Sequence, residues 1–463
     1  MELNNLKVAM HNLGCKVNSY EAEAMVNELR EAGAQVVSWE DDTADVYIIN
    51  TCSVTNIADR KSRQMLHKAK AKNPDAIVIG VGCYVQARAE ELKKEGVADI
   101  LVGNNEKSDI VPIVQEYLRG QRENDAESYI PDIKEETTYE NLRVGEIEDR
   151  ARAFIKIQDG CNQYCSYCII PYVRGRIRSR SEEDTLREIR ELADRGYKEI
   201  VLTGIHLSSY GIDFDDQNYE YVMNHDIPSA RLLHLIEEAA EVPGIERIRL
   251  GSLEPRIITE SFVERLRAIP EICPHFHLSL QSGCDRTLRA MNRHYDTASF
   301  RHSVELLRKA FARVAITTDV IVGFPGETQE DFEASRRFIE EMRFYELHVF
   351  KYSRRHGTVA DRMPEQITDR VKSERSEQLI SMNRIQSDVF RRQFLEQTDE
   401  VLPEEIITVD GREYLTGFNK EYVKYLIPFT DRSRAQGEIG EIIRVHGNKI
   451  CKTYVLADSV NLL

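Results

Sequence analysis

Three cysteines, Cys161, Cys165 and Cys168, stand in the phrase QDGCNQYCSYCIIP with the spacing CxxxCxxC. A structural zinc site needs four ligands, and no fourth cysteine or histidine follows within the usual distance along the chain. Three thiolates suit a cubane iron–sulfur cluster, in which one iron has no protein ligand and can bind a substrate or cofactor. The spacing predicts such a [4Fe-4S] cluster, with a zinc knuckle or chance clustering as the alternative.

Three further cysteines, Cys15, Cys52 and Cys83, each follow a short apolar run, in HNLGCKVN, INTCSVT and VGVGCYVQ. Each of them alone is best explained as an inert buried thiol. Their shared placement favours another interpretation, because the carboxyl ends of parallel strands meet at one edge of a sheet. A glycine or threonine directly precedes each cysteine and leaves room for a bulky inorganic group. We therefore expect a second site with three cysteine ligands.

The elements around these cysteines predict a mixed α/β protein with three domains. Residues 1–120 alternate β-branched runs with helical patterns, which is typical of a Rossmann-like parallel α/β domain. Residues 150–383 contain six βα units, which predict a partial (β/α)6 barrel with its chemistry at the carboxyl ends of the strands. Residues 384–463 are short strands separated by turns, which indicate a small antiparallel, OB-like β-barrel. Residues 121–149 hold ten acidic and three basic residues, so we expect an acidic linker there.

The composition excludes several classes of protein. The 463 residues include 62 Lys and Arg against 78 Asp and Glu, a net charge of −16, which argues against coating DNA or a membrane by bulk charge. Nine scattered cysteines are not a disulfide framework, and no apolar run is long enough to span a bilayer. We expect a cytoplasmic protein with neither DNA nor membrane as a partner. Cys273, Cys284 and Cys451 match no cluster spacing and are interpreted as structural.

The CxxxCxxC motif, with Tyr167 before its last cysteine, resembles that of the radical S-adenosylmethionine (SAM) enzymes. The resemblance implies that the open iron binds SAM, and that one electron then releases a 5′-deoxyadenosyl radical. It places Tyr167 at the adenine of SAM and TGIHLSSYG at its methionine part, while DVIVGFPGET looks like a late strand whose glycines let the backbone approach the cofactor. Glu254 and Gln281 lie at strand ends, where a turn explains them nearly as well. The cofactor-binding candidates are Tyr167, Thr203, Gly204, Glu254, Gln281 and Gly323.

The chain combines two sites of three cysteines with a barrel and a terminal β-module. This organisation resembles that of the methylthiotransferase family across nearly the whole chain. The phrases LGCKVNSYEAEAM and IQDGCNQYCSYCIIPYVRGRIRSR are most similar to the branch that acts on N6-threonylcarbamoyladenosine in tRNA. The branch that acts on isopentenyladenosine typically has Gln-Met where Lys16 and Val17 stand. The resemblance implies SAM and two [4Fe-4S] clusters. Their ligands would be Cys15, Cys52 and Cys83 for one cluster and Cys161, Cys165 and Cys168 for the other.

The implied reaction replaces the hydrogen on C2 of the modified adenine next to the anticodon with a methylthio group. That hydrogen is not acidic, so a radical route suits it, and no catalytic residue beyond the cluster ligands is predicted. The implied partners are the anticodon stem-loop of tRNA and a reductant such as flavodoxin. The alternatives are methylthiolation of isopentenyladenosine or of a ribosomal-protein aspartate, and, from a different class, a non-catalytic zinc-dependent RNA-binding protein.

Four arginines alternate in RGRIRSR, directly after the CxxxCxxC loop. An extended segment would line up their guanidinium groups beside the active site, where they suit RNA phosphates. The alternative is a strand that forms salt bridges with its neighbours. The candidates are Arg174, Arg176, Arg178 and Arg180.

The terminal module mixes aromatic and basic residues, among them Tyr422 and Lys424, and resembles the TRAM domain. Aromatic rings for stacking beside cations for phosphates are typical of OB-like RNA-binding modules, although alternating aromatics are also ordinary β-core. A basic helix over residues 58–72 is a third candidate RNA surface, equally well explained as a solvated helix face.

Overall fold

The computed structural model describes residues 3–4, 6–40, 43–120, 127–145, 151–214 and 230–459. Within these ranges the chain forms a parallel N-terminal sheet, an arc of parallel strands and a closed C-terminal β-barrel. This arrangement confirms the predicted mixed α/β fold class.

The described strands of the N-terminal sheet follow the order β2-β1-β3-β4-β5-β6 and pair in parallel throughout. These strands are Lys7–Asn12 (β1), Gln35–Val36 (β2), Val46–Thr51 (β3), Ile77–Gly82 (β4), Ile100–Val102 (β5) and Glu127–Tyr129 (β6). The helices between them are Lys16–Glu31 (α1), Asn56–Lys72 (α2), Cys83–Glu95 (α3) and Ile110–Leu118 (α4). Successive residues of β3 and β4 enter two different apolar clusters, so both faces of the sheet are covered.

The segment 121–149, which we expected to be an acidic linker, also has structural roles. Strand β6 lies within it and pairs with β5 at the edge of the first sheet. Leu142 and Val144 are buried in the apolar core of the following domain. Charge counting cannot detect such contributions, since an edge strand tolerates polar residues and two apolar residues suffice to anchor a segment.

The central domain is an arc of six described parallel strands, in the order β7-β9-β10-β11-β12-β13. Bridges at Ile248–Ile272 and Leu253–Leu278 join β10 to β11. The strands are Arg152–Asp159 (β7), Glu199–Gly204 (β9), Arg247–Leu250 (β10), His275–His277 (β11), Ala315–Val322 (β12) and Glu346–Lys351 (β13). The short strand Arg178–Ser179 (β8) pairs antiparallel with the end of β7.

Helices follow the strands of the arc, as the six βα units predicted. They are Ile170–Val173 (α5), Glu182–Asp194 (α6), Ala230–Ala240 (α7), Glu260–Arg267 (α8), Asp285–Ala290 (α9), Thr297–Ala310 (α10), Gln329–Met342 (α11) and Asp369–Arg391 (α12). Side chains cap several of their first turns, for example Ser181 on α6 and Asp296 on α10. Alternate strand residues pack under these helices, which leaves the other residues of each strand facing the interior of the arc.

The N-terminal domain contacts both ends of the arc. On the β7 side, Glu21 of α1 binds Lys156 at 2.8 Å and Arg174 at 2.8 Å. On the β13 side, Arg355 donates to the backbone oxygen of Ser53 at 3.1 Å and to Asp59 at 2.6 Å. The N-terminal domain therefore lies across the gap between the first and last strands of the partial barrel.

The C-terminal module is a closed barrel of strands in the order β14-β15-β16-β18-β17, antiparallel except for the β16–β18 pair. These elements are Thr398–Val409 (β14), Arg412–Phe418 (β15), Lys424–Ile427 (β16), Arg432–Gly437 (α13), Ile443–Cys451 (β17) and Tyr454–Ser459 (β18). Arg247 and Arg249 of β10 donate to backbone oxygens of this module at 2.9–3.2 Å. Because Arg247 begins its strand, the module covers the amino ends of the arc, opposite the CxxxCxxC loop.

None of the helices among the described residues combines the length and the apolar character that crossing a membrane requires.

Candidate functional site

Cys15, Cys52 and Cys83 lie together at the carboxyl edge of the N-terminal sheet, as the parallel topology predicted. Cys15 precedes α1, Cys52 follows β3, and Cys83 begins α3. Burial raises the pKa of Cys52 to about 12, and the neighbouring Cys83 and Cys15 add to this rise. A side chain on Gly14, whose φ is +118°, would place its Cβ 3.1 Å from the Cβ of Cys52. This glycine is therefore needed for the two loops to approach each other.

Asn18 connects the loops that carry these cysteines. Its side-chain amide donates to the backbone oxygens of Leu13 at 2.9 Å and Thr51 at 3.0 Å. Its side-chain oxygen accepts from the guanidinium of Arg174 at 2.9 Å. Asn18 lies in the first turn of α1 and is fully buried, so these bonds fix the Cys15 loop against the Cys52 loop. Sequence reasoning missed this residue, whose only signal was its position three residues after a candidate ligand.

Cys83 accepts two hydrogen bonds on its sulfur. The Nε of Arg174 donates at 3.3 Å, and the side-chain amide of Asn104 donates at 3.5 Å. N–H groups directed at a cysteine sulfur stabilise its thiolate, which is the form that binds iron. Three thiols, a glycine-lined approach and N–H donors to one sulfur thus fit an iron–sulfur cluster.

A buried network of charges joins this edge of the sheet to the first strand of the arc. Glu21 accepts from Lys107 at 2.5 Å, from Lys156 at 2.8 Å and from Arg174 at 2.8 Å, and all four side chains are fully buried. Asp159 accepts from Lys156 at 2.6 Å and from Arg174 at 3.0 Å. Burial alone would raise the pKa of Glu21, but Arg174 and the two lysines outweigh burial and hold it well below its ordinary value.

Three of the four arginines that we expected to contact RNA are instead buried, so that expectation is wrong for Arg174, Arg178 and Arg180. Arg178 donates to the backbone oxygen of Arg174 at 2.9 Å, and Arg180 pairs with Glu188 of α6. The segment is not an extended strand, because α5 and a turn at Gly175 bend it back across β7. Only the side chain of Arg176 is exposed, and its role in RNA binding stays a prediction.

The CxxxCxxC cysteines lie in the loop after β7, where the barrel prediction placed them. Burial raises the pKa of Cys168 to about 12, and the adjacent Cys165 adds to the rise. The guanidinium of Arg293 donates to the sulfur of Cys165 at 3.1 Å. The backbone N–H of Cys161 donates to the oxygen of Gly175 at 3.1 Å, directly beside Arg174. A continuous path of contacts therefore runs from Cys161 through Gly175 and Arg174 to Cys83.

Two cofactor-binding candidates, Glu254 and Thr203, are buried at the carboxyl ends of neighbouring strands. Glu254 accepts from His206 at 3.0 Å and from Arg256 at 2.5 Å. Burial opposes ionisation of Glu254, but the hydrogen bonds from His206 and Arg256, together with nearby positive charges, outweigh burial and lower its pKa. These residues stand near the cluster loop, because Arg256 also reaches Gln163 at 3.5 Å. His206 and Arg256 were not among the predicted site residues.

Gln281 and Gly204 are placed by contacts within the arc. Gln281 has a positive φ of 65°, and its backbone joins β12 through hydrogen bonds at 2.8 Å to Asp319 and Ile321. A side chain on Gly204 would approach the side chain of Gln158 to 2.9 Å, which explains why this position requires a small residue. Their contacts with a cofactor stay predictions.

The structure shows a packing role for Gly323 that we did not predict. A Cβ at this position would lie 2.3 Å from the Cγ of Lys372 in α12, so the glycine allows that helix to pack closely. Close approach of the backbone to a cofactor at this residue stays a prediction. Tyr167 packs, half-buried, against an apolar group that includes Phe324 and Met291 near the CxxxCxxC loop, which is compatible with the predicted adenine contact.

The interior of the arc carries a polar group formed by His277, Asp319 and His348. Asp319 lies 3.3 Å from the Nε2 of His277 and 3.2 Å from the Nδ1 of His348. Burial by itself would raise the pKa of Asp319, but hydrogen bonds from both imidazoles lower it. Lys16 of α1 faces this interior, and its ammonium lies 5.9 Å from the centre of the Phe154 ring on β7.

Tyr422 is not placed to stack on RNA. Its ring stacks on His275 at 4.7 Å and on Phe418 at 4.4 Å, and the guanidinium of Arg249 lies 4.7 Å from its centre. The expectation is wrong because this ring packs where the C-terminal module meets the amino ends of the arc. Lys424 is half-buried and lies 3.5 Å from Glu405, so its contact with RNA stays a prediction.

Comparisons with known proteins agree with this geometry. A family model described as the Radical SAM superfamily matches residues 155–339. A second model, described as Uncharacterized protein family UPF0004, matches residues 7–103 and so includes Cys15, Cys52 and Cys83.

Curated relatives cover nearly the whole chain. Threonylcarbamoyladenosine tRNA methylthiotransferase MtaB of Bacillus subtilis (strain 168) is 39% identical over 439 residues, which are 95% of this chain and 93% of that protein. tRNA-2-methylthio-N(6)-dimethylallyladenosine synthase of Thermoanaerobacter sp. (strain X514) is 33% identical over 465 residues, covering 95% of this chain and 94% of that protein.

Among solved structures, the radical S-adenosylmethionine methyltransferase TsrM from Kitasatospora setae matches with a TM-score of 0.55 at 13% identity. The match covers 77% of this chain and 74% of that one, which shows a shared fold.

Proposed function

The chain belongs to the radical SAM tRNA methylthiotransferases, and from this premise we propose that it methylthiolates C2 of N6-threonylcarbamoyladenosine next to the anticodon, using two [4Fe-4S] clusters. Membership in the family implies a tRNA substrate, SAM and one [4Fe-4S] cluster. The second cluster, the modified base and the reductant belong to the proposal.

The observation that carries the second cluster is the contact path between the two sets of cysteines. Arg174 donates to the sulfur of Cys83 and lies beside Gly175, which accepts from the N–H of Cys161. The N-terminal domain also contacts the far side of the arc through Arg355, close to Cys52. Both contacts support two cysteine sites at the same opening of the partial barrel, so that a single base can reach both.

Cluster-bound SAM and sulfur would supply the radical that removes the C2 hydrogen and the methylthio group that replaces it. The chain's own residues position these groups. Arg174 and Asn104 hold the Cys83 sulfur through N–H donors, and Arg293 does the same for Cys165. N–H donors to cluster sulfurs also tune the reduction potential, so the two sites can differ in how readily they accept an electron. A reductant such as flavodoxin would supply that electron.

We choose the modified base from the names and identities of the curated relatives. Four curated relatives at 35–39% identity are named for threonylcarbamoyladenosine, and others at 33–34% are named for dimethylallyladenosine. The higher identities support the threonylcarbamoyl substrate, and the alternative base is an outcome of the experiment that closes the Discussion.

Iron and acid-labile sulfide counting after anaerobic reconstitution tests the two-cluster proposal. About eight of each per chain are expected for wild type, and about four for Cys15→Ala. Cys451→Ala is the matched control, because Cys451 lies in the C-terminal module and should leave the count unchanged. A wild-type protein that holds about four irons, or zinc without sulfide, would contradict the proposal.

A further inference from the structure

Lys16 directly follows the candidate ligand Cys15 at the start of α1, and its ammonium projects into the interior of the arc. It lies 5.9 Å from the ring centre of Phe154 on β7. The side chain is exposed, although groups from three parts of the chain lie near it: Arg152, Arg249 and Tyr422. The Lys16 side chain is accessible to solvent, yet these neighbours surround it. It therefore faces an internal space that solvent can enter.

The charged groups around Lys16 are already paired with one another. Arg152 and Arg249 both interact electrostatically with Lys16, but Arg249 binds Glu199 at 2.7 Å and Arg152 binds Glu404 at 2.5 Å. His275 and His348 also lie close enough to interact electrostatically with Lys16. Within the part of the chain that the structure describes, no carboxylate lies within ion-pair distance of the Lys16 ammonium.

Two other lysines in the same region show what a purely structural lysine looks like here. Lys107 and Lys156 are fully buried, and each binds Glu21 at 2.5–2.8 Å. Lys16 has no such partner among the described residues and remains accessible, so its position is suited to an incoming anion rather than to holding the fold together.

We propose that Lys16 binds the carboxylate of an anionic N6 substituent and so selects a carboxylate-bearing adenosine over one with an uncharged N6 chain. The inference rests on the proposed function and deepens it. In adenine, C2 and C6 both flank N1, so a group carried on N6 lies close to the reacting C2. A lysine next to the cluster ligand Cys15 is placed to reach such a group. A lysine that has no carboxylate partner among the described residues and lies in an enclosed space binds a carboxylate strongly and leaves a neutral chain without a partner.

Binding of anticodon stem-loops to the reconstituted, SAM-bound enzyme tests the proposal. Two stem-loops are compared, one with N6-threonylcarbamoyladenosine and one with unmodified adenosine at the same position. Lys16→Gln should weaken binding of the modified stem-loop by about tenfold or more, which is the range for a hydrogen bond to a charged group, and leave the unmodified one unchanged. Lys16→Arg should retain most of the preference, because it keeps the charge.

Lys309→Gln is the matched control, since Lys309 is an exposed lysine on the outer helix α10. It should bind both stem-loops like wild type. The proposal is overturned if Lys16→Gln keeps the wild-type preference for the modified stem-loop, or if it weakens both stem-loops equally. Failure of the proposed function has a different signature, because wild type itself would then leave threonylcarbamoyladenosine without a methylthio group.

Discussion

Arg174 and Arg176 lie two positions apart, and substituting them one at a time separates a buried ion-pair role from an RNA-contact role. Arg174 binds Glu21 at 2.8 Å, Asp159 at 3.0 Å and the sulfur of Cys83 at 3.3 Å. Arg176 is exposed. Arg174→Met and Arg176→Met remove the same charge from two very different environments.

The loss of folding stability that we expect for Arg174→Met follows from the ion-pair partners of Arg174. Removing one member of a buried ion pair costs about 3–5 kcal/mol, because the remaining charge stays buried without compensation. Glu21 retains Lys107 and Lys156, and Asp159 retains Lys156, so the lower end, about 3 kcal/mol, applies. With an m value of about 3 kcal/mol/M in urea, this corresponds to a midpoint lower by about 1 M.

Urea unfolding followed by circular dichroism measures this shift, and the salt dependence of tRNA binding measures phosphate contacts. Arg176→Met should leave the urea midpoint unchanged and reduce the slope of log K against log salt by about one. Arg174→Met should show the lowered midpoint. A wild-type midpoint for Arg174→Met, together with a reduced salt slope, would refute the buried role and restore the original RNA-contact interpretation.

Three further predictions concern the first cluster site, the charge network and the C-terminal module. Cys15→Ala should still cleave SAM, as followed by release of 5′-deoxyadenosine, but should lose methylthiolation; loss of both activities would indicate a merely structural first site. Glu21→Gln should lower the urea midpoint most at pH 7. Since the folded-state pKa of Glu21 lies below the unfolded value, the difference from wild type should shrink as the pH falls below about 4.3, and a constant difference would contradict this. A chain ending at residue 391 should lose thermal stability as well as tRNA affinity, because Arg247 and Arg249 lose acceptors in the C-terminal module; an unchanged melting temperature would argue against this contact.

Much of the fold and the cysteine sites could be predicted from the sequence, because both depend on local patterns. The six βα units indicated over residues 150–383 appear in the structure as the six parallel strands of the arc with helices after them. Cys15, Cys52 and Cys83 came together because parallel strands place their carboxyl ends at one edge. That rule depends on the direction of the strands and not on the side chains between the cysteines.

The arginines show what local patterns could not reveal. Alternating basic residues look the same on a solvated strand and in a buried network, and the partner that decides between them, Glu21, is 153 positions away from Arg174. The same limit applies to Tyr422, whose role depends on docking against His275 in another domain. Long-range pairing of charges and rings has no local signature, so only the tertiary structure assigns these residues.

Nucleoside analysis of tRNA treated with the reconstituted enzyme and SAM tests the central claim most directly. The substrate tRNAs carry either N6-threonylcarbamoyladenosine or dimethylallyladenosine next to the anticodon, and mass spectrometry follows each nucleoside. The proposed function predicts that the threonylcarbamoyl nucleoside gains one methylthio group and loses one hydrogen, while dimethylallyladenosine stays unchanged. Methylthiolation of dimethylallyladenosine alone, or of neither nucleoside, would contradict it.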